Sequence, residues 1–374
     1  MSEEKYEAIY RKFRPETFDE VIGQDHIVRV LKTQIADGST SHAYLFCGTR
    51  GTGKTTMARL LAKGVNCLSD GDQPCGVCEN CISIKNGTFV DVIEIDAASN
   101  NGVDNVRELR DSVIYPPSAG RNKVYIIDEV HMLTKQAFNA LLKTLEEPPE
   151  HVLFILATTE ASKILATIQS RCLRFDFHRI PAAQIMNSMK EICKKLNVPA
   201  EDDALALLAS NADGSVRDGL SLLEQCVSAV PAAAKDAGAH GITRELVLEL
   251  IGSPGDQLIS ELTAHVVAGQ TTEALILLDE MLASGKENTR IIEEWIDYFH
   301  STLLIRFVKN PERLIGRSEE SIKMIKKQSE DFDVSFINDS IYRLSKLLNE
   351  TRWSSHTRIL LEMAIIEMSE RKEL

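Results

Sequence analysis

Three groups of residues carry chemistry in their types and spacing. The first is "GTRGTGKTT", Gly48 to Thr56, which satisfies G-x-x-x-x-G-K-[ST]. Glycines in such a loop let backbone N–H groups curl around phosphate oxygens. Gly48, Gly51, Thr52, Gly53 and Thr56 are the expected loop contacts. Lys54 is placed to reach the β- and γ-phosphates, and Thr55 to ligate Mg²⁺. The second group is the pair Asp128–Glu129, which ends the apolar run "KVYIIDEVH". An acid at the carboxyl end of a strand beside a phosphate loop can hold the Mg²⁺ shell, which falls to Asp128. Glu129 is then the residue to orient or deprotonate a water. The chain has no Asn-Lys-x-Asp guanine reader, so ATP is favoured over GTP.

The third group is Cys67, Cys75, Cys78 and Cys81, spaced C-x7-C-x2-C-x2-C. Four thiolates at short intervals suit tetrahedral Zn²⁺, and in a reducing compartment clustered cysteines favour metal over disulfides. An iron–sulfur cluster is the alternative; the long first gap weighs against it. With all four positions filled there is no open site for water or substrate, so the reading is a structural staple. Cys47, Cys172, Cys193 and Cys226 lie in apolar segments and read as small core residues.

These groups need a scaffold. A chain of 374 residues is expected to form two or three domains. At 44% apolar and 26% charged residues, the composition is that of a globular protein. The opening "MSEEKYEAIYRKFRPETF" is not a secretory signal, and "HVLFILATT" is too short to cross a bilayer. A cytoplasmic address with no membrane partner is therefore expected. A net charge of −13 argues against binding nucleic acid by bulk attraction, though not against a local basic surface.

Five short apolar runs read as strands: Ala43–Cys47, Asp91–Asp96, Lys123–Asp128, Val152–Ala157 and Leu173–Phe177. Helical segments separate them, the pattern of a parallel sheet buried on both faces. Three helices follow, the first opened by Pro181. An Ala- and Gly-rich connector spans Val230–Ile242, and the remainder is amphipathic helix. The expected architecture is an α/β phosphate-loop domain over 1–180 carrying the cysteine insertion, a three-helix lid over 181–242, and an all-α domain over 243–374.

Weaker signals punctuate the same region. Thr158 and Thr159 end the fourth strand, Arg171 in "IQSRC" precedes the fifth, and Arg217 in "GSVRD" opens the third lid helix. Taken singly, each is an ordinary strand-end threonine or a surface ion pair. In order, with "YRKFRPETFDEVIGQDHIVRVL", "DVIEIDAASNNGVDNVRELRD" and "NALLKTLEEPPE", they resemble the AAA+ ATPases, and within them the ATPase subunits of the bacterial DNA polymerase III clamp loader. The resemblance is dense over 6–228 and fold-level beyond.

That resemblance implies further roles. Arg11, Val21 and Ile22 would pack on adenine. Thr158 or Thr159, the latter slightly preferred, would sense the γ-phosphate. Arg171 would reach into a neighbouring subunit's ATP site, and Arg217 would contact the nucleotide from the lid. The third domain would be an oligomerisation collar, and the zinc knuckle also belongs to the family. Implied partners are the delta and delta-prime subunits, further copies of the chain, the β sliding clamp and primer–template DNA, with Arg107 and Lys143 as DNA-facing candidates. The implied function is ATP-driven loading of the clamp during replication. Competing readings are a Holliday-junction motor, which would lack the cysteine insertion and "SRC", a non-catalytic ring subunit, and a zinc enzyme with an incidental phosphate loop.

Overall fold

The computed structural model describes residues 7–230, 241–251, 254–309, 315, 319–330, 332–351, 354 and 356–370. The five expected strands form, each within one residue of its expected bounds: β1 Ala43–Gly48, β2 Val92–Asp96, β3 Lys123–Asp128, β4 Val152–Thr158 and β5 Leu173–Phe177. They make one parallel sheet in the order β2-β3-β4-β1-β5.

Residue alternation along the central strands feeds two cores, one on each face. Leu45, Tyr125, Ile127, Phe154 and Leu156 point to one face, against α5 (Val103–Val113) and α6 (Lys135–Glu146). Tyr44, Phe46, Val124, Ile126, Leu153 and Ile155 point to the other, against α2 (Asp25–Ala36) and α3 (Lys54–Val65). Each such side chain contributes roughly 1.5–3 kcal/mol by leaving water. Burial on both faces holds for β1, β3 and β4 but not for β2 and β5. Those two are the sheet edges, where Glu94, Asp96, Arg174 and Asp176 alternate with the apolar positions.

Three helices follow the sheet: α8 (Ala182–Leu196), α9 (Asp202–Asn211) and α10 (Val216–Ala229), after a short α7 (Ala166–Gln169). Pro181 is the N-cap residue of α8, and Ser215 caps α10 by accepting the Asp218 N–H at 3.1 Å. Short helix α1 (Ile9–Lys12) packs on α10, and the Ile9 N–H donates to Glu224 at 3.1 Å. A further short helix, α4 (Glu79–Lys85), belongs to the cysteine segment. The chain divides into two compact units, Met1–Gly241 and Ile242–Leu374, so the lid helices group with the sheet. Most of the expected connector lies outside the described residues.

In the second unit the described elements are all helical, from Arg244–Ile251 to Thr357–Ser369. Trp295, Tyr298 and Phe299 of helix Asn288–Phe307 fill its core, and the buried Trp295 Nε1–H donates to Thr263 at 2.9 Å. No helix among the described residues is long and apolar enough to cross a membrane.

One buried acid pins the sheet to its loops. Asp91, 2% exposed just before β2, accepts N–H bonds from Ser118, Ala119 and Gly120 at 2.8, 2.6 and 2.8 Å. Burial pushes its carboxyl up, but the three donors outweigh that and leave it below the usual carboxylate range. The depressed value means its stabilisation is complete above the unfolded carboxyl range near 3.9 and is lost as pH falls through the native value. Asp91→Ala should therefore cost about 2–3 kcal/mol at neutral pH, leaving three donors unsatisfied. In urea titrations the gap from wild type should shrink as pH falls from about 5 toward about 2. A gap independent of pH would contradict the assignment.

Candidate nucleotide site and cysteine cluster

The phosphate loop leaves β1 at Gly48, opposite Phe177 of β5. A Cβ on Gly48 would lie 2.6 Å from the Phe177 carbonyl, so the turn is tight against the sheet edge. Gly51 and Gly53 adopt φ of +75° and +103°, conformations that favour glycine, and α3 begins at the next residue. The helix's free N–H groups therefore face the loop, a ready anion seat. Lys54, 5% exposed, donates to the Gly48 and Thr49 carbonyls at 2.8 and 2.9 Å. Burial lowers its pKa, while Glu129 and Asp128 act the other way.

β3 and β4 run parallel with Ile127 opposite Leu156, so their carboxyl ends emerge together beside the loop. At the end of β3, Asp128 Oδ2 accepts the Thr55 hydroxyl at 2.7 Å. The pair places a hydroxyl and a carboxylate side by side, the hard oxygen donors that suit Mg²⁺. Glu129 is held at φ +47°, and its carboxylate accepts the Thr159 N–H at 3.1 Å and hydroxyl at 2.9 Å. Thr158 points the other way. It is fully buried, lies 3.0 Å from His131 Nδ1 and accepts the Glu160 N–H. Alternation along the strand thus gives the two threonines different work: Thr159 holds Glu129, and Thr158 anchors its surroundings.

Above the loop the lid closes a cavity of about 350 Å³. Gly51 through Thr56, Asp128 and Glu129 line it, with Val21 and Ile22 from the entry segment and Arg217 from the lid. The Val216 N–H donates to the Gly51 carbonyl at 3.1 Å, joining lid to loop directly. The Arg217 guanidinium sits 4.9 Å from the centre of the Tyr10 ring.

The four cysteines of the cluster converge away from this cavity. Their sulfurs all lie within 4.8 Å of one another, with Cys67–Cys81 at 3.8 Å and Cys67–Cys78 at 4.0 Å. A tetrahedral zinc with bonds of about 2.3 Å sets its sulfurs roughly 3.8 Å apart, so the cluster fits the ion. The Cys75 and Cys78 N–H groups donate to the sulfurs of Cys67 and Cys75. Burial pushes Cys78 up, but backbone N–H groups at Leu68 and Cys81 and the adjoining thiols outweigh it and bring it to about 6. The thiolate is thus favoured at Cys78, whereas burial pushes Cys67 and Cys81 the other way.

Three family profiles match successive parts of the chain. "DNA polymerase III, delta subunit" matches residues 23–181, "DNA polymerase III clamp loader subunit, ATPase lid domain" 184–230, and "DNA polymerase III subunits gamma and tau domain III" 242–374. The DNA polymerase III subunit gamma of Buchnera aphidicola (subsp. Baizongia pistaciae) is 37% identical over 97% of this chain and 96% of its own length. The chain belongs to the DNA polymerase III gamma/tau family. The subunit tau of Bacillus subtilis is 44% identical over 97% of this chain but 63% of its own length, and that of Escherichia coli is 43% identical over 80% and 46%. The chain thus spans less than two thirds of these longer relatives. The likeness to clamp-loader subunits drawn from the motifs and the five-strand reading both hold.

Not every expected residue of this gamma/tau-family chain meets in the cavity. Arg11 does not line it; the residue is exposed and donates to the Tyr10 hydroxyl at 3.1 Å. Tyr10, Phe13 and Arg14 line the cavity instead. With Ile9 buried, one residue's rotation along α1 carries Arg11 outward, while Tyr10 and Phe13 stay three apart on one side. Arg171 is also outside its own chain's cavity, bound to Glu146 at 2.7 Å and to the Thr167 carbonyl at 2.6 Å. Arg107 and Lys143 are exposed on α5 and α6, which pack together. Gln24 carried no signal in the sequence beyond its place after a glycine. It is fully buried and donates to the Thr52 and His178 carbonyls at 3.3 and 2.8 Å, tying the entry segment to the loop and to the end of β5.

The lid contact can be tested at one atom. A methyl on Gly51 would sit 1.9 Å from the Ser215 Oγ, at a strained φ; one on Gly38, φ +63°, meets nothing within 4 Å. Gly51→Ala should weaken ATP binding by at least about tenfold, and Gly38→Ala, which carries backbone strain alone, should not. Titration with a fluorescent ATP analogue reads both. Equal affinities would show that the lid need not approach the loop.

Proposed function

We propose that this chain binds and hydrolyses ATP as a subunit of a clamp-loading ring, and that the nucleotide sets the angle between sheet domain and lid. The observation that carries this is the meeting of Lys54, the Thr55–Asp128 pair and Glu129 under Arg217. Lys54 exchanges its two carbonyl partners for the β- and γ-phosphates. Arg217 grips the same chain of phosphates from the lid, while Val21 and Ile22 pack against the base with Tyr10 and Phe13. Thr55 and Asp128 would hold Mg²⁺, which would supply neutralising charge to the phosphates. Glu129 serves as the base that orients water. In the structure its carboxylate is engaged by Thr159, so hydrolysis requires that carboxylate to turn from Thr159 toward the γ-phosphate. Thr159 accordingly takes the sensing role.

Arg171 supplies its charge to the adjacent subunit's site, consistent with its position outside its own cavity. The partners proposed are delta, delta-prime, further copies of the chain, the β clamp and primer–template DNA, in the cytoplasm. DNA would be held by its phosphates, with Arg107 and Lys143 as contacts. The second unit would serve as the oligomerisation collar. Cys67, Cys75, Cys78 and Cys81 would hold one structural zinc.

In a complex reconstituted with delta and delta-prime, clamps and primed DNA should raise ATP turnover, and Lys54→Ala should abolish it. Rings made only of Arg171→Ala or only of Glu129→Gln chains should lose about 10³-fold. Mixed rings should recover part of the activity, because a seam pairing an intact Glu129 with a neighbour's intact Arg171 is complete. No recovery would show that the arginine acts within its own chain or not at all.

Elemental analysis should find about one zinc per chain. Cys78→Ser should release it and lower the melting temperature, while Lys54→Ala retains it. Full zinc occupancy in Cys78→Ser would remove that cysteine from the ligand set.

A further inference from the structure

A second cavity, of about 680 Å³, opens beside the nucleotide cavity between the N-terminal segment, the outer half of α3 and the end of α4. Its size lies in the range of small-molecule sites, roughly 300–1,000 Å³. Six cations line it: Arg11, Lys12, Arg14, Arg59, Lys63 and Lys85. Only Glu7 and Glu16 line it with opposite charge, in a chain whose net charge is −13. Two of the cations are committed. Arg59 makes a two-pronged pair with Glu94 at 2.8 and 2.9 Å, and Lys85 pairs with Glu16. Arg14 and Lys63 have no side-chain hydrogen bond or ion pair among the described residues.

Lys63 decides the matter. Its residue is 4% exposed and lines this cavity, and its ammonium has no hydrogen-bond or ion-pair partner among the described residues. An ammonium on so buried a residue keeps only restricted hydration, which an anion in the cavity would supplement. Arg59, one turn earlier on α3, adds like-charge repulsion. The end of α3 favours a cation, and Glu16 and Cys81 act on its charge, but none of these supplies the missing hydrogen-bond acceptor. An arginine fork and a lysine point charge, both uncommitted, match two linked phosphate groups.

We propose that this cavity is a second anion site, distinct from the phosphate loop, for a small ligand bearing a diphosphate group. That chemistry is shared by free pyrophosphate and by a nucleoside diphosphate. Arg14 lines both this cavity and the nucleotide cavity, so an occupant here draws on a cation that also faces the nucleotide.

The test uses the full chain carrying Lys54→Ala, which disables the phosphate loop, titrated calorimetrically with pyrophosphate and separately with GDP. One site per chain should bind, and adding Lys63→Met should weaken it at least tenfold without lowering the melting temperature, because methionine keeps a packed apolar stem and removes only the charge. Tighter binding of pyrophosphate identifies the free anion as the ligand; tighter binding of GDP identifies a nucleotide. Should Lys63→Met fail to fold, the exposed Lys12→Gln should still weaken binding about threefold. No binding of either probe to the Lys54→Ala chain overturns the proposal. So does unchanged binding in a folded Lys63→Met chain, and loss of zinc in that chain with binding intact would mark Lys63 as a counter-ion to the thiolates instead. Failure of the ATPase proposal would leave these outcomes unaffected, since the readout is binding in a chain without a working phosphate loop.

Discussion

The contact of the lid with the phosphate loop constrains everything else in the first unit. Val216 donates to Gly51, and Ser215 packs so closely that only a glycine fits opposite it. One helix start therefore caps α10, docks the lid and delivers Arg217 over the cavity. Because those tasks share two or three residues, the lid cannot tilt without changing the loop. A ligand that bridges loop and lid would act on that contact directly, and under the proposed function binding energy in one small cavity would become a change of domain angle. The same contact explains why residues 1–241 form one compact unit although the lid reads in sequence as a separate segment.

Beneath it, the parallel sheet does the gathering. Parallel strands bring all their carboxyl ends to one edge, and the order β2-β3-β4-β1-β5 puts the phosphate loop beside β4 and its acid neighbour β3 one strand further. The Asp128–Glu129 pair and Thr159 therefore meet although Thr159 lies 30 residues beyond Glu129 in the chain. The left-handed backbone at Glu129 is a local strain, and the two bonds from Thr159 help to hold the carboxylate where it is. A carboxylate restrained by the neighbouring strand responds to movement at that strand's end.

How much of this was legible before the structure depends on the kind of signal. The strands were, because buried parallel strands are short apolar runs whose ends carry the polar residues. The loop and the Asp128–Glu129 pair were, because their chemistry demands those residue types next to each other. Adenine-side contacts were less legible. Arg11 and Arg14 differ by less than one helical turn, and only the burial of Ile9 decides which residues face inward. Thr158 and Thr159 could not be separated by type, since the phase of a strand is set by its neighbours. Gln24 was silent because a buried amide earns its place through partners distant in sequence.

The cysteine cluster, though remote from the chemistry, is joined to it through α3. Asn66, the residue that closes that helix, donates to the Ala62 carbonyl and accepts the Asn122 N–H at 2.9 Å, and its own carbonyl accepts from Asn80 of α4 at 2.8 Å. Cys67 follows immediately, and Cys81 lies in α4. A metal drawing Cys67 to Cys81 would therefore clamp the carboxyl end of α3 to α4 and, through Asn122, to the start of β3. The amino end of the same helix is the anion seat. A helix of 12 residues transmits a displacement at one end almost undiminished to the other. Stapling its far end would hold the loop amides and Lys54 in register with the strand that carries Asp128. A metal at the cluster would thus bear directly on the site, by fixing the helix whose amino end faces the phosphate loop.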